Sequence, residues 1–99
     1  MGDKRDQLNW AIMPHIRATT NEDGAVLLDI EKGVCYSLNS VGARIWRTIE
    51  SKKGRATAKS ILDALESQFV VSHEELARDT DEYLRSLQEK GLIKAVRVS

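Results

Sequence analysis

Residues 33–39 read GVCYSLN, and a helical pattern starts directly behind them. Val34, Tyr36 and Leu38 alternate with Cys35 and Ser37, the period-two pattern of a strand with two unlike faces. Asn39 or Ser40 then offers a short side-chain oxygen to the free amides of a first helical turn. Beyond it Val41, Ile45 and Ile49 recur at helical spacing, with Trp46 beside them. The stretch is a strand turned into a helix at a capped corner, and the rest of the chain extends from it on both sides.

Upstream, residues 25–30 (AVLLDI) form a short apolar strand between turn signals at 21–24 (NEDG) and 31–33 (EKG). Gly33 is available there for a positive φ. Residues 12–20 (IMPHIRATT) alternate loosely and carry β-branched side chains. Three short strands joined by tight turns predict an antiparallel meander. Downstream, 51–55 (SKKGR) is a polar loop. A second helix is expected from about Thr57 to Gln68, with Ile61, Leu62, Leu65 and Phe69 on one face. A third helix is the best marked. Ser72 caps it, Glu75 completes an S-x-x-E capping box, and Leu76, Tyr83, Leu84 and Leu87 form its apolar stripe. Gly91 stops it. Residues 92–98 (LIKAVRV) add a short strand or pack as an extended tail. The expected fold class is α+β: a three-stranded antiparallel sheet followed by three helices, in a winged helix-turn-helix-like layout. Residues 1–9 are polar and expected to be flexible, which leaves 10–99 as a single domain.

The size of 99 residues suits one domain, and an apolar fraction of 41% supports one modest core. Fifteen basic and 15 acidic residues cancel. A balanced charge argues against a protein that coats duplex nucleic acid with a basic stripe. The lone cysteine, Cys35, has no disulfide or zinc partner and reads as a buried structural thiol in a reducing cytosol. No secretory signal is recognisable, and no apolar run approaches the ~20 residues that span a bilayer. A cytoplasmic protein is expected.

Catalytic and metal chemistry find little support. His15 and His73 are the only histidines and have no further ligands clustered with them. Asp79, Asp81 and Glu82 crowd one part of the third helix, but consecutive helix residues do not face one another, so they read as a solvated face. There is no G-x-S-x-G, no P-loop and no G-x-G-x-x-G. The expectation is a non-enzyme with no cofactor and no metal. A winged helix raises DNA binding as an alternative, with a basic recognition helix. The third helix instead begins Ser72, His73, Glu74, Glu75, and its Arg78 and Arg85 alternate with Asp79, Asp81 and Glu82, which would repel phosphates. No nucleic-acid partner and no membrane are expected.

The segment 24–46, GAVLLDIEKGVCYSLNSVGARIW, joins a glycine-led apolar strand, an acidic residue, a short turn and an aromatic-bearing strand to Leu-Asn and a helix with Gly-Ala. In this pattern, and in 76–93 (LARDTDEYLRSLQEKGLI), the chain resembles the PqqD-like family. These are small peptide-binding proteins, the precursor-peptide recognition elements of ribosomal peptide (RiPP) biosynthesis. The "LLD … LN … GA" form is most similar to the stand-alone leader-binding proteins of lasso-peptide pathways. The resemblance covers roughly 12–95. It implies that the third strand is a sheet edge that accepts a precursor's leader peptide as an added strand. Leader side chains would lie in the groove beside the third helix. The partners implied are the leader and a maturation enzyme, such as a cysteine-protease-type leader peptidase. The protein would act as a peptide chaperone, monomeric or paired through the edge.

On that basis Val34, Cys35, Tyr36 and Ser37 are candidates for backbone pairing. Tyr83 and Leu84 are candidates for the pocket, with Leu76, Thr80 and Leu87 behind them. Arg78, Asp79 and Glu82 are placed at the rim. Tyr36, Leu76, Leu84 and Leu87 suit a core equally well, because a small domain has few apolar residues to spare. Tyr83 suits a groove best, with its hydroxyl in water. Trp46 is assigned to the core or its edge, and Trp10 to an edge cover or an interface. A winged-helix DNA-binding regulator, a PqqD-type carrier for a radical maturation enzyme, and a scaffold subunit of another complex are the alternatives.

Overall fold

The computed structural model describes residues 8–97. The order of elements is β1 (Leu8–Ile12), β2 (Ile16–Asn21), β3 (Gly24–Asp29), β4 (Val34–Leu38), α1 (Ser40–Lys52), α2 (Ala58–Glu66), α3 (His73–Glu89) and β5 (Ile93–Arg97). Strands β2, β3 and β4 form the expected antiparallel meander, in that spatial order. The expected order of sheet and then helices is corrected. Strand β1 pairs with β5, which follows the helices, in a second sheet of two antiparallel strands. The α+β class stands, and the winged-helix likeness drawn from element order does not carry over.

Pro14 explains the miscounted strand. It lacks a backbone donor and favours turns, and the stretch read as one strand over 12–20 breaks at 13–15 into β1 and β2. The first strand begins at Leu8, inside the stretch 1–9 expected to be flexible, and residues 1–7 lie outside the described ones. Trp10 is a core residue rather than an edge cover: it is 9% exposed, and its amide donates to Ala56 O at 2.7 Å.

The turns follow their local chemistry. Asn21 Oδ1 accepts from the amides of Asp23 (2.8 Å) and Gly24 (3.0 Å), closing the β2–β3 hairpin. Asp29 does the same for β3–β4: its Oδ1 accepts from the amides of Glu31 and Lys32, both at 3.0 Å. Gly33 takes φ 68° at the end of that turn. At the end of α3, Leu92 N donates to Leu87 O and Gly91 N to Gln88 O, the paired bonds of a Schellman stop. Ser72 Oγ caps α3 by accepting from Glu75 N at 3.2 Å. The reciprocal capping box forms one helix earlier, between Thr57 and Ser60.

Helix α1 packs its buried face on β3, whose Ala25 and Leu27 point inward with Asp29. Ile45, Trp46, Ile49, Ile61, Leu65, Leu92 and Ile93 join them in the core, with Leu76, Leu84 and Leu87 of α3. The other sheet face is open, so Cys35 is exposed rather than buried as expected. Strand alternation overrides the usual burial of cysteine, because among the described residues no element covers that face.

Asp29 generates a pH prediction. The Lys32 amide is the main influence holding its carboxyl below the ordinary range, against burial, with His15 Nε2 3.5 Å away adding to the effect. A group whose folded pKa is lowered stabilises above its unfolded pKa of about 3.9. That contribution is lost as the pH falls through the lower folded value. Urea midpoints followed from neutral to acid pH should show this limb, and Asp29→Asn should flatten it.

Candidate functional site

Strand β4 is an outer strand of its sheet, so one of its edges pairs with no described strand. Such an edge presents free N–H and C=O groups. Val34, Cys35 and Ser37 are exposed, while Tyr36 and Leu38 are half-buried and turn toward the core side. Asn39 ends the strand, and its Oδ1 carries two loads. It accepts from Gly42 N at 2.9 Å, capping α1, and from the Tyr83 hydroxyl at 2.5 Å, tying α3 to the corner. Of the two expected caps, Asn39 is the one used. The close approach of α3 depends on Gly42, where an added Cβ would stand 2.7 Å from Tyr83 Cε1 and 3.1 Å from Leu38 Cβ.

A second link joins β4 to the far end of α3. Lys90 Nζ lies 5.9 Å from the centre of the Tyr36 ring, within cation–π range, and donates to Ser86 Oγ at 2.9 Å. A cleft of about 310 Å³ is lined by Asn39, Val41, Asp79, Glu82, Tyr83 and Ser86. Its charged lining is acidic. Burial, and then the Asp79 charge, push the Tyr83 hydroxyl above its ordinary pKa, against the hydrogen bond to Asn39.

The fold brings Asp79, Glu82 and Tyr83 together at this cleft beside the β4 edge. Leu76, Thr80, Leu84 and Leu87 are buried on the core side of α3 and do not line the cleft, and Leu84 borders a separate cavity with Trp10 and Arg85. Arg78 is exposed and does not line the cleft. The Tyr83 hydroxyl, expected in water, is partnered by Asn39. Sequence reasoning missed Asn39, Val41 and Ser86 as lining. Asn39 was legible only as a helix cap, Val41 read as core, and Ser86 carried no signal. Among the described residues no group of three His, Cys, Asp or Glu could hold a metal ion, and no helix is long and apolar enough to cross a membrane. His15 sits in the turn before β2 beside Asp29, and His73 pairs with Glu66.

The family model for coenzyme PQQ synthesis protein D (PqqD) matches residues 24–93. The chain belongs to the PqqD family. Two solved structures are similar to it. One is TbiB1 in complex with the TbiA(beta) leader peptide, at 30% identity and a TM-score of 0.75, covering 85% of this chain and 94% of that one. The other is a lasso peptide synthetase B1 complexed with its leader peptide, at 24% identity and a TM-score of 0.74, covering 87% and 98%. The second likeness is one of fold. No curated protein matches the chain. Within this PqqD fold the matched segment runs from the first residue of β3 to the first of β5, so it contains the β4 edge, the Asn39 corner and all of α3.

Three substitutions probe the corner, the first two as a pair. Asn39→Ala removes the cap and the tie to α3 together, an expected loss of about 1–3 kcal/mol. Tyr83→Phe removes the tie alone and should cost about 0.5–1.5 kcal/mol. Urea melts of both single variants and the double variant form a cycle. A coupling near zero would show that the amide and the hydroxyl do not act on each other. Gly42→Ala should cost about 1–3 kcal/mol by overpacking and shift the Tyr83 ring resonances.

Proposed function

We propose that this protein binds the leader peptide of a ribosomally synthesised precursor without catalysing a reaction on it. The leader adds as a strand to the free edge of β4, over 33–38, and its side chains enter the cleft beside α3. The observation that carries this role is a sheet edge, unpaired among the described residues, ending at a cleft whose walls come from α1 and α3. Strand addition supplies main-chain bonds, and side-chain pockets supply specificity. The likeness to TbiB1, solved with a leader peptide at 30% identity, supports the same role here.

The energetics require both parts. Backbone bonds contribute about 0.5–1.5 kcal/mol each, so three or four give on the order of 2–6 kcal/mol. Association and ordering of the leader cost roughly 4–15 kcal/mol. Pairing alone is too weak, and the cleft must provide the surplus. In this role Val34, Cys35, Tyr36 and Ser37 provide the edge. Tyr83, Asn39 and Val41 provide the contact surface, and Asp79 and Glu82 select neutral or basic leader residues. Leu76, Thr80, Leu84 and Leu87 anchor α3 to the core, and Arg78 stands outside the cleft. The pathway proposed is lasso-peptide biosynthesis in the cytoplasm. There the bound precursor is presented to a maturation enzyme, a cysteine-protease-type leader peptidase.

The test is an amide-shift titration with a synthetic leader from a precursor frame adjacent to this gene. Shifts should concentrate in 33–41 and 79–86. Tyr83→Ala should weaken binding about tenfold or more while the fold persists. Affinity should respond weakly to salt, in contrast to the steep loss expected of a DNA binder. If saturating leader moved no amide of 33–38, strand addition would be wrong.

A further inference from the structure

A second groove lies between α1 and α2, and its charge is opposite to that of the leader cleft. Its volume is about 490 Å³, and Arg44, Arg47 and Lys52 line it against one carboxylate, Asp63. Among the described residues these three cations take part in no ion pair, since the recorded pairs all join a histidine to a carboxylate. Arg44 is the more telling of the two arginines. Its Nε is buried and has no hydrogen-bond partner. A buried guanidinium N–H without an acceptor is costly. The neighbouring hydroxyls do not relieve it: Thr48 Oγ1 donates to Arg44 O at 2.8 Å and Ser51 Oγ to Thr48 O at 2.9 Å. The groove holds donors in want of acceptors.

We propose that this α1–α2 groove docks an acidic peptide segment of a partner protein. Arg44 and Arg47 are one turn apart, so their side chains leave the helix about 5–6 Å from each other. Alternate residues of an extended chain project to one face about 6.6 Å apart. Two carboxylates at i and i+2 therefore meet the two guanidiniums, each able to form a bidentate pair. The volume exceeds what a single inorganic anion fills. A nucleic-acid backbone needs a longer basic stripe, and here the cations are confined to one helix that ends at Lys52. The leader cleft is lined by Asp79 and Glu82 and repels the same segment. The two grooves thus take two different polypeptides, and this second site does not depend on the leader-binding role.

The test uses N-acetylated, amidated hexaglutamate as probe, with hexalysine, inorganic phosphate and hexathymidylate as controls. Hexaglutamate should shift amides in 44–52 and 60–64. Arg44→Gln and Arg47→Gln should each weaken it about tenfold, with thermal melts and Trp46 fluorescence unchanged. Tyr83→Ala should leave this binding intact, which separates it from the leader site. The double variant Arg44→Glu/Arg47→Glu should bind hexalysine instead. Equal shifts from phosphate or hexathymidylate would overturn the assignment to an acidic peptide. Hexaglutamate shifts that survive both Gln variants, or no shifts at all, would overturn the site itself.

Discussion

The structure turns on one amide oxygen. Asn39 Oδ1 accepts from Gly42 N and from the Tyr83 hydroxyl, so one atom ends β4, starts α1 and fixes α3. A strand cannot be followed at once by a helix unless the first amides of the helix find acceptors. The same acceptor then holds a phenol from a helix 44 residues further along the chain. Gly42 makes the arrangement possible by leaving room for the ring. With the contact between Lys90 and Tyr36 at its other end, this corner sets how α3 lies beside β4 and shapes the cleft between them.

Among the described residues the sheet is covered on one face only, and this governs what the rest of the surface can do. Helix α1 takes the inner face through β3, α2 packs on α1, α3 packs on α2 and β5, and β5 pairs with β1. That leaves backbone groups free at the edge and leaves Cys35 in solvent. The overall charge balance conceals a division. Acidic residues of α3 line the cleft near β4, and basic residues of α1 line the groove near α2. A neutral chain thereby carries two surfaces of opposite sign.

Much of this was legible locally. The three helices, the caps at Asn39 and Ser72, the hairpin turns with Gly33, and the stop at Gly91 all depend on residues within a few positions of one another. The strand pattern over 34–38 also predicted which side chains share a face. The misses are of another kind. Pro14 split a strand that β-branched residues had suggested was continuous. Cys35 was assigned by the habits of its residue type, whereas burial depends on whether anything covers the face it occupies. Leu76, Leu84 and Leu87 stood equally for core and pocket, since a period of 3.6 shows that a helix has a face and says nothing about what that face meets.

The sequence by itself determined the elements, their ends and the family pattern, because propensity, capping and turn chemistry act over short stretches of chain. Tertiary structure alone decided the pairing of β1 with β5, the burial of Trp10, the second role of Asn39 and the segregation of charge between the two grooves. Each of these joins residues far apart in the chain, and their meeting depends on how the whole chain buries its apolar surface.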